Sequence, residues 1–84
     1  MNKNNIKTTV KGGVQSVEVG MFILKTLATN GHSVSLNELS DQTGIHPSKI
    51  HRYLTSLVHT GIVAKTAHGQ YDLGDYVLEL STGY

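Results

Sequence analysis

Cysteine is absent from the 84 residues. That excludes a disulfide scaffold and any cysteine-ligated zinc site. Long apolar runs are absent too: the longest, such as Met21-Phe22-Ile23-Leu24, fall far short of the roughly 18 residues that span a bilayer. Lys3 has no apolar stretch behind it, so no secretory signal is expected and a cytoplasmic location is the default. With 38% hydrophobic and 15% charged residues, the chain has material for one domain with a modest core, too small for an enzyme with a deep cleft. There is no Gly-rich phosphate loop, no nucleophile elbow and no carboxylate pair suited to acid–base work. His46 and His51 lie five apart, and His51 and His59 eight apart, so neither pair has the i, i+4 spacing of ligands on one helix face. No enzymatic activity, cofactor or metal is expected.

The formal charge is only +1, but it is unevenly spread. Residues 1–17 carry Lys3, Lys7 and Lys11 and no acid, and residues 18–41 sum to −2. Residues 42–71 carry Lys49, Arg52 and Lys65 without an acid, and residues 72–84 sum to −3. The acid-free stretch also holds His46, His51, His59 and His68. Such a segment can face a polyanion without repelling it, although chance in a lightly charged chain would look the same.

Residues 1–13, polar and ending in Gly12-Gly13, read as a flexible arm. A first helix is expected from Ser16, as N-cap, to Asn30. Its apolar stripe is Val17, Met21, Leu24 and Ala28, with Gly20, Ile23 and Leu27 beside it, leaving Phe22 off the stripe. His32-Ser33-Val34 is a short extended connector. Ser35-Leu36-Asn37-Glu38 has the form of a capping box, opening a short helix that Gly44 closes, with Ile45 as its apolar lock. The single proline, Pro47, suits the first position of a third helix running to about Thr60. There Ile50, Leu54, Leu57 and Val58 form the inner stripe, while Ser48, Arg52, Thr55 and His59 face outward, flanked by Lys49, His51 and Ser56. Ile62–Lys65 and Gln70–Leu73 are β-prone runs joined by Thr66-Ala67-His68-Gly69, a hairpin. A fourth helix begins after Gly74. Tyr53, Tyr71, Tyr76 and Tyr84 are not grouped on one strand face, which makes them core or interface residues rather than stacking platforms.

The expected fold is therefore mainly α with one β-hairpin: a winged helix-turn-helix, with a three-helix core, a wing and the start of a further helix. The Gly-containing turn between the second and third helices sets them at a steep angle and leaves the third free to enter a major groove.

The segments VQSVEVGMFILKTLATNG, LNELSDQTGIHPSKIHRYLTSLVHTGIV and GQYDLG occur in an order and spacing that resembles the N-terminal DNA-binding domain of IclR-type transcription regulators, over about residues 14–80. The most specific pieces are VQSV, the S-x-x-x-R-x-L run from Ser48 to Leu54, and the G-x-Y-x-L-G of Gly69 to Gly74. The resemblance implies a DNA-binding domain at 14–74, a linker helix starting within 75–84, a homodimer, and a partly palindromic double-stranded operator. Three features depart from the pattern. His46 stands between the turn and Pro47, where many relatives have proline one residue earlier. The wing offers Gln70 and Asp72 where relatives are often arginine-rich. The effector-binding domain that would follow the linker helix is not within these residues, so a small-molecule effector site is expected elsewhere. An excised DNA-binding domain is the expectation, with a stand-alone small protein as the alternative.

The residues expected to touch DNA are Arg52, which can grip a phosphate or pair with guanine; Ser48, Lys49, Pro47, His51 and Thr55 on the third helix; Gln42 and Thr43 at the end of the second; and His68 and Gln70 on the wing. Solvated surface residues would look alike at each position. The rival from another class is a protein–protein interaction module, which the hydrophilic, acid-free outer face disfavours.

Overall fold

In a computed structural model the described residues are 10–83. Most of the proposed N-terminal arm, residues 1–9, and the expectation for Tyr84 lie outside them. The elements run α1 (Gln15–Asn30), α2 (Leu36–Thr43), α3 (Pro47–Thr60), β1 (Val63–Lys65), β2 (Tyr71–Leu73) and α4 (Asp75–Thr82).

The stop and start signals of the middle helices act as expected. Ser35 Oγ accepts the Glu38 amide at 3.1 Å and the Glu38 carboxylate accepts the Ser35 amide at 2.9 Å, a complete capping box. Gly44 ends α2 at φ 75°, a backbone conformation that costs a side chain dearly. Pro47 is the first residue of α3.

The Ser35 amide, and then the Ser35 hydroxyl and the nearby His32, hold the Glu38 carboxyl below its usual value of 4.5. A carboxyl depressed in the folded state contributes stability above its unfolded value, and that contribution is lost as pH falls through the folded value. Glu38→Gln keeps a capping side chain but cannot titrate. The gap in melting temperature between the native chain and Glu38→Gln is therefore expected to be widest at neutral pH and to close on acidification below about 4.5. A gap independent of pH would contradict this.

Two expectations for α1 are corrected. The helix begins at Gln15 with Val14 as N-cap and no capping side chain, so Ser16 is inside it. The buried stripe is Val19, Gly20, Ile23 and Leu27, whereas Val17 is 62% and Met21 45% exposed and Ala28 is also exposed. Apolar residues cover more than half the circumference of α1, so periodicity alone admits several stripes. Packing against α2 and β2 selects the one that meets Leu39 and Tyr71. Phe22 and Leu24 are half-buried against this core.

The core consists of Val19, Ile23, Leu27, Val34, Leu39, Ile45, Ile50, Leu54, Val63 and Tyr71. β1 and β2 pair antiparallel with Val63 opposite Leu73 and Lys65 opposite Tyr71. Ile62 and Gln70 flank the strands rather than belonging to them. Val34 joins the hairpin as a one-residue third strand: its amide donates to the Tyr71 carbonyl at 2.9 Å, and the Tyr71 amide to the Val34 carbonyl at 2.7 Å. This bridge ties the connector ahead of α2 to the wing, fixing the wing's position relative to α3.

Candidate nucleic-acid interface

The turn between α2 and α3 is only Gly44-Ile45-His46. Two buried hydroxyls clamp it. Ser40 Oγ donates to the Ile45 carbonyl at 2.6 Å. Thr43 Oγ1 donates to the Leu39 carbonyl at 2.7 Å and accepts the Ile45 amide at 3.2 Å. Thr43 is therefore a correction to the site: at 2% exposure, with its hydroxyl committed inside the turn, it cannot reach a ligand. Position near the end of a helix does not tell which way a small hydroxyl points, and Thr43 packs better than it solvates here.

α3 is held by Ile50 and Leu54, both fully buried, with Tyr53, Leu57 and Val58 half-buried beside them. Its other side is free: Pro47, Ser48, Lys49, His51, Arg52, Thr55, Ser56 and His59 are all exposed. At about 100° per residue, Ser48, Arg52, Thr55 and His59 form the ridge opposite the anchor. Lys49 and Arg52 also rim an open groove of about 540 Å³ between α3 and the start of α1 at Gln15 and Ser16. The first amide groups of α1 carry no side-chain cap, and Glu18 in that first turn offsets their positive potential. Residues 42–71 contribute no carboxylate to this side of the molecule, and Glu18 in the first turn of α1 is the acid nearest in sequence to the α1 wall of the groove.

The remaining expected residues sit apart from α3. Gln42 is exposed, but its amide is tied to Asn30 at the end of α1 by reciprocal hydrogen bonds of 2.7 and 3.1 Å. His68 is exposed at the wing turn, which Gly69 completes at φ 77°. Gln70 is half-buried and accepts a hydrogen bond from Ser33 Oγ at 2.8 Å, leaving its NH₂ group uncommitted. Two residues outside the expected contact set stand beside it. Lys65 lies on the wing with its ammonium 5.8 Å from the centre of the Tyr71 ring, a cation held in place on the hairpin. It was visible in the acid-free stretch. His46 is the N-cap of α3 through its ring nitrogen, a role that its place directly before Pro47 announces. Among the described residues no group of three histidine or acidic side chains could hold a metal ion, and no helix is long and apolar enough to cross a membrane.

A short turn that throws one helix outward, a hydrophilic and cationic outer ridge, and a hairpin beside it define a winged helix-turn-helix of the DNA-binding kind. The family model for the IclR helix-turn-helix domain matches residues 16–67. The chain is 32% identical over 76 residues to the acetate operon repressor of Salmonella typhimurium, covering 89% of this chain and 28% of that protein. It is 31% identical over 74 residues to the transcriptional repressor IclR of Escherichia coli, covering 87% of this chain and 27% of that protein. Pseudomonas aeruginosa HmgR superposes with a TM-score of 0.77 at 37% identity, over 82% of this chain and 29% of HmgR. The chain belongs to the IclR helix-turn-helix family of DNA-binding transcription regulators, which is not a family of enzymes. It spans less than a third of the length of the curated relatives it matches.

Proposed function

We propose that this domain lays α3 in the major groove of a partly palindromic operator as one half of a homodimer, and that the parent regulator is a repressor. The observation that carries this reading is the division of α3 into a fully buried inner stripe, Ile50 and Leu54, and an exposed, acid-free outer ridge. Ser48, Lys49, His51, Arg52 and Thr55 face the bases and nearby phosphates, and Pro47 sets where the helix starts. His68, Gln70 and Lys65 on the wing meet the adjacent backbone. Gln42 contributes at the edge, on the side nearest α1. The two-fold reading rests on site size, because one recognition helix covers too few base pairs for specificity. It is also supported by the apolar side chains left in solvent: Val14 just before α1, Val17 and Met21 on α1, and Leu78 and Leu80 on α4. Residues 14–74 act as the DNA-binding domain, and α4 is the start of a linker helix. A small-molecule effector would act outside these residues, and the regulator would work in the cytoplasm.

Selection of duplexes from a random pool by this chain, followed by salt titration, tests the reading. If Lys49, Arg52 and Lys65 each neutralise a phosphate, log affinity should fall against log salt with a slope of roughly −2 to −3 per domain. Enriched sites should carry a two-fold repeat. Binding indifferent to salt, or no enrichment at all, would defeat the proposal in favour of a protein-interaction role.

A further inference from the structure

His46 and Ser48 share a contact at the start of α3. His46 Nδ1 lies 3.2 Å from the Ser48 amide nitrogen and 2.9 Å from Ser48 Oγ. An amide N–H cannot donate to a ring N–H. Nδ1 therefore bears its lone pair, and the ring proton sits on Nε2. In that tautomer the 2.9 Å contact runs from the hydroxyl to the ring, and amide and hydroxyl share the single Nδ1 lone pair in a three-centre arrangement. This commits the Ser48 proton inside the turn. The oxygen keeps its remaining lone pairs for the outside, and Ser48 is exposed on the same ridge as Arg52.

We infer that His46 is a positioning residue for operator recognition: by engaging the proton of Ser48 Oγ it makes that hydroxyl an acceptor toward DNA, selective for an exocyclic amino group, N6 of adenine or N4 of cytosine, in the major groove. The inference rests on the DNA-binding reading given above. A freely rotating serine hydroxyl donates to a base acceptor as readily as it accepts from an amino group, and so discriminates little. A hydroxyl whose proton is held has one sign. The place of each amino group in the major groove differs among the four base pairs, so an acceptor of fixed position carries sequence information. His46 stands directly before Pro47, so the contact forms at the entry to the helix that carries Arg52.

The test uses the 84-residue chain and a duplex it enriches from a random pool. Amino groups are deleted one at a time, purine for adenine and pyrimidin-2-one for cytosine. At one position the deletion is expected to weaken the native chain roughly 3- to 10-fold, the size of one hydrogen bond. Ser48→Ala should be insensitive there, and His46→Ala should lose most of the sensitivity. Ser48→Ala keeps the backbone amide that His46 caps, so a purely structural His46 would cost the same affinity with or without the serine hydroxyl. Equal losses from His46→Ala in the two backgrounds would overturn the inference while leaving DNA binding intact. Nitrogen NMR of the unsubstituted chain is a second readout that needs no variant. An unprotonated Nδ1 on His46 supports the assignment, and a protonated Nδ1 at neutral pH overturns it. A pool in which no duplex is enriched would defeat the DNA-binding reading and this inference together.

Discussion

Arg52→Ala is expected to weaken binding to a selected duplex by about 1–3 kcal/mol while leaving the melting temperature nearly unchanged. The two halves of that statement come from the same geometry. Arg52 is exposed on the ridge of α3, away from Ile50 and Leu54, so its removal opens no cavity. No acid of residues 42–71 competes for its guanidinium, whose five N–H donors suit a phosphate or the O6/N7 edge of guanine. Arg52→Lys separates these two uses. A lysine retains the charge and most of a phosphate contact, but lacks the flat fork that grips guanine through two bonds. Similar affinity with relaxed preference at one base pair would assign Arg52 to base reading, and similar affinity with unchanged preference would assign it to the backbone. Anisotropy titration alongside a thermal melt measures both. An alanine variant that binds as tightly as the native chain would remove Arg52 from the interface.

Gly74→Ala is expected to destabilise the domain by about 2–3 kcal/mol, although Gly74 has an ordinary extended backbone with φ −89°. The cause is closeness, not conformation. Gly74 is buried, and its amide donates to the Ile62 carbonyl at 2.9 Å. A Cβ there would overlap the Gly61 carbonyl oxygen and lie 2.9 Å from the Gly61 carbonyl carbon and 3.0 Å from that of Ile62. All three are backbone atoms, which cannot swing aside as a side chain would. The same Gly61 oxygen accepts the Tyr76 amide at 3.2 Å, so pushing it away loosens the first turn of α4 as well as the end of the hairpin. Chemical denaturation should show the loss, and backbone NMR shifts should concentrate at residues 61–63 and 74–77. Undiminished stability would mean that the chain relaxes there at little cost. Because α4 is the proposed linker, the same substitution in a longer chain should also loosen coupling between the domain and whatever α4 leads to.

How much of this was readable in advance varied with the range of the interaction. The capping box of Ser35 and Glu38, the stop at Gly44 and the start at Pro47 each depend on residues within about four positions of one another. They were read correctly because local chemistry decides them. The inner stripe of α3 was equally legible, since polar residues fill the rest of its circumference and leave one way to bury it. α1 was not, because several apolar stripes compete on it. Thr43 was misjudged for a related reason: a hydroxyl at the end of a helix is as suited to the turn as to a ligand, and Leu39 and Ile45 supply the partners that settle it.

From the order of its residues alone, this protein has three core helices, the second and third with both ends defined, a hairpin and an acid-free outer ridge on the third helix, because caps, turns and helical period are short-range properties. Only the assembled fold decided that Val19, Ile23 and Leu27 face inward while Val17 and Met21 remain in solvent, that Val34 pairs with Tyr71, and that Thr43 turns away from the surface. Each of those outcomes depends on contact between segments far apart in the chain. Their energies are settled by which surfaces meet and exclude water, and that choice exists only once the helices are packed.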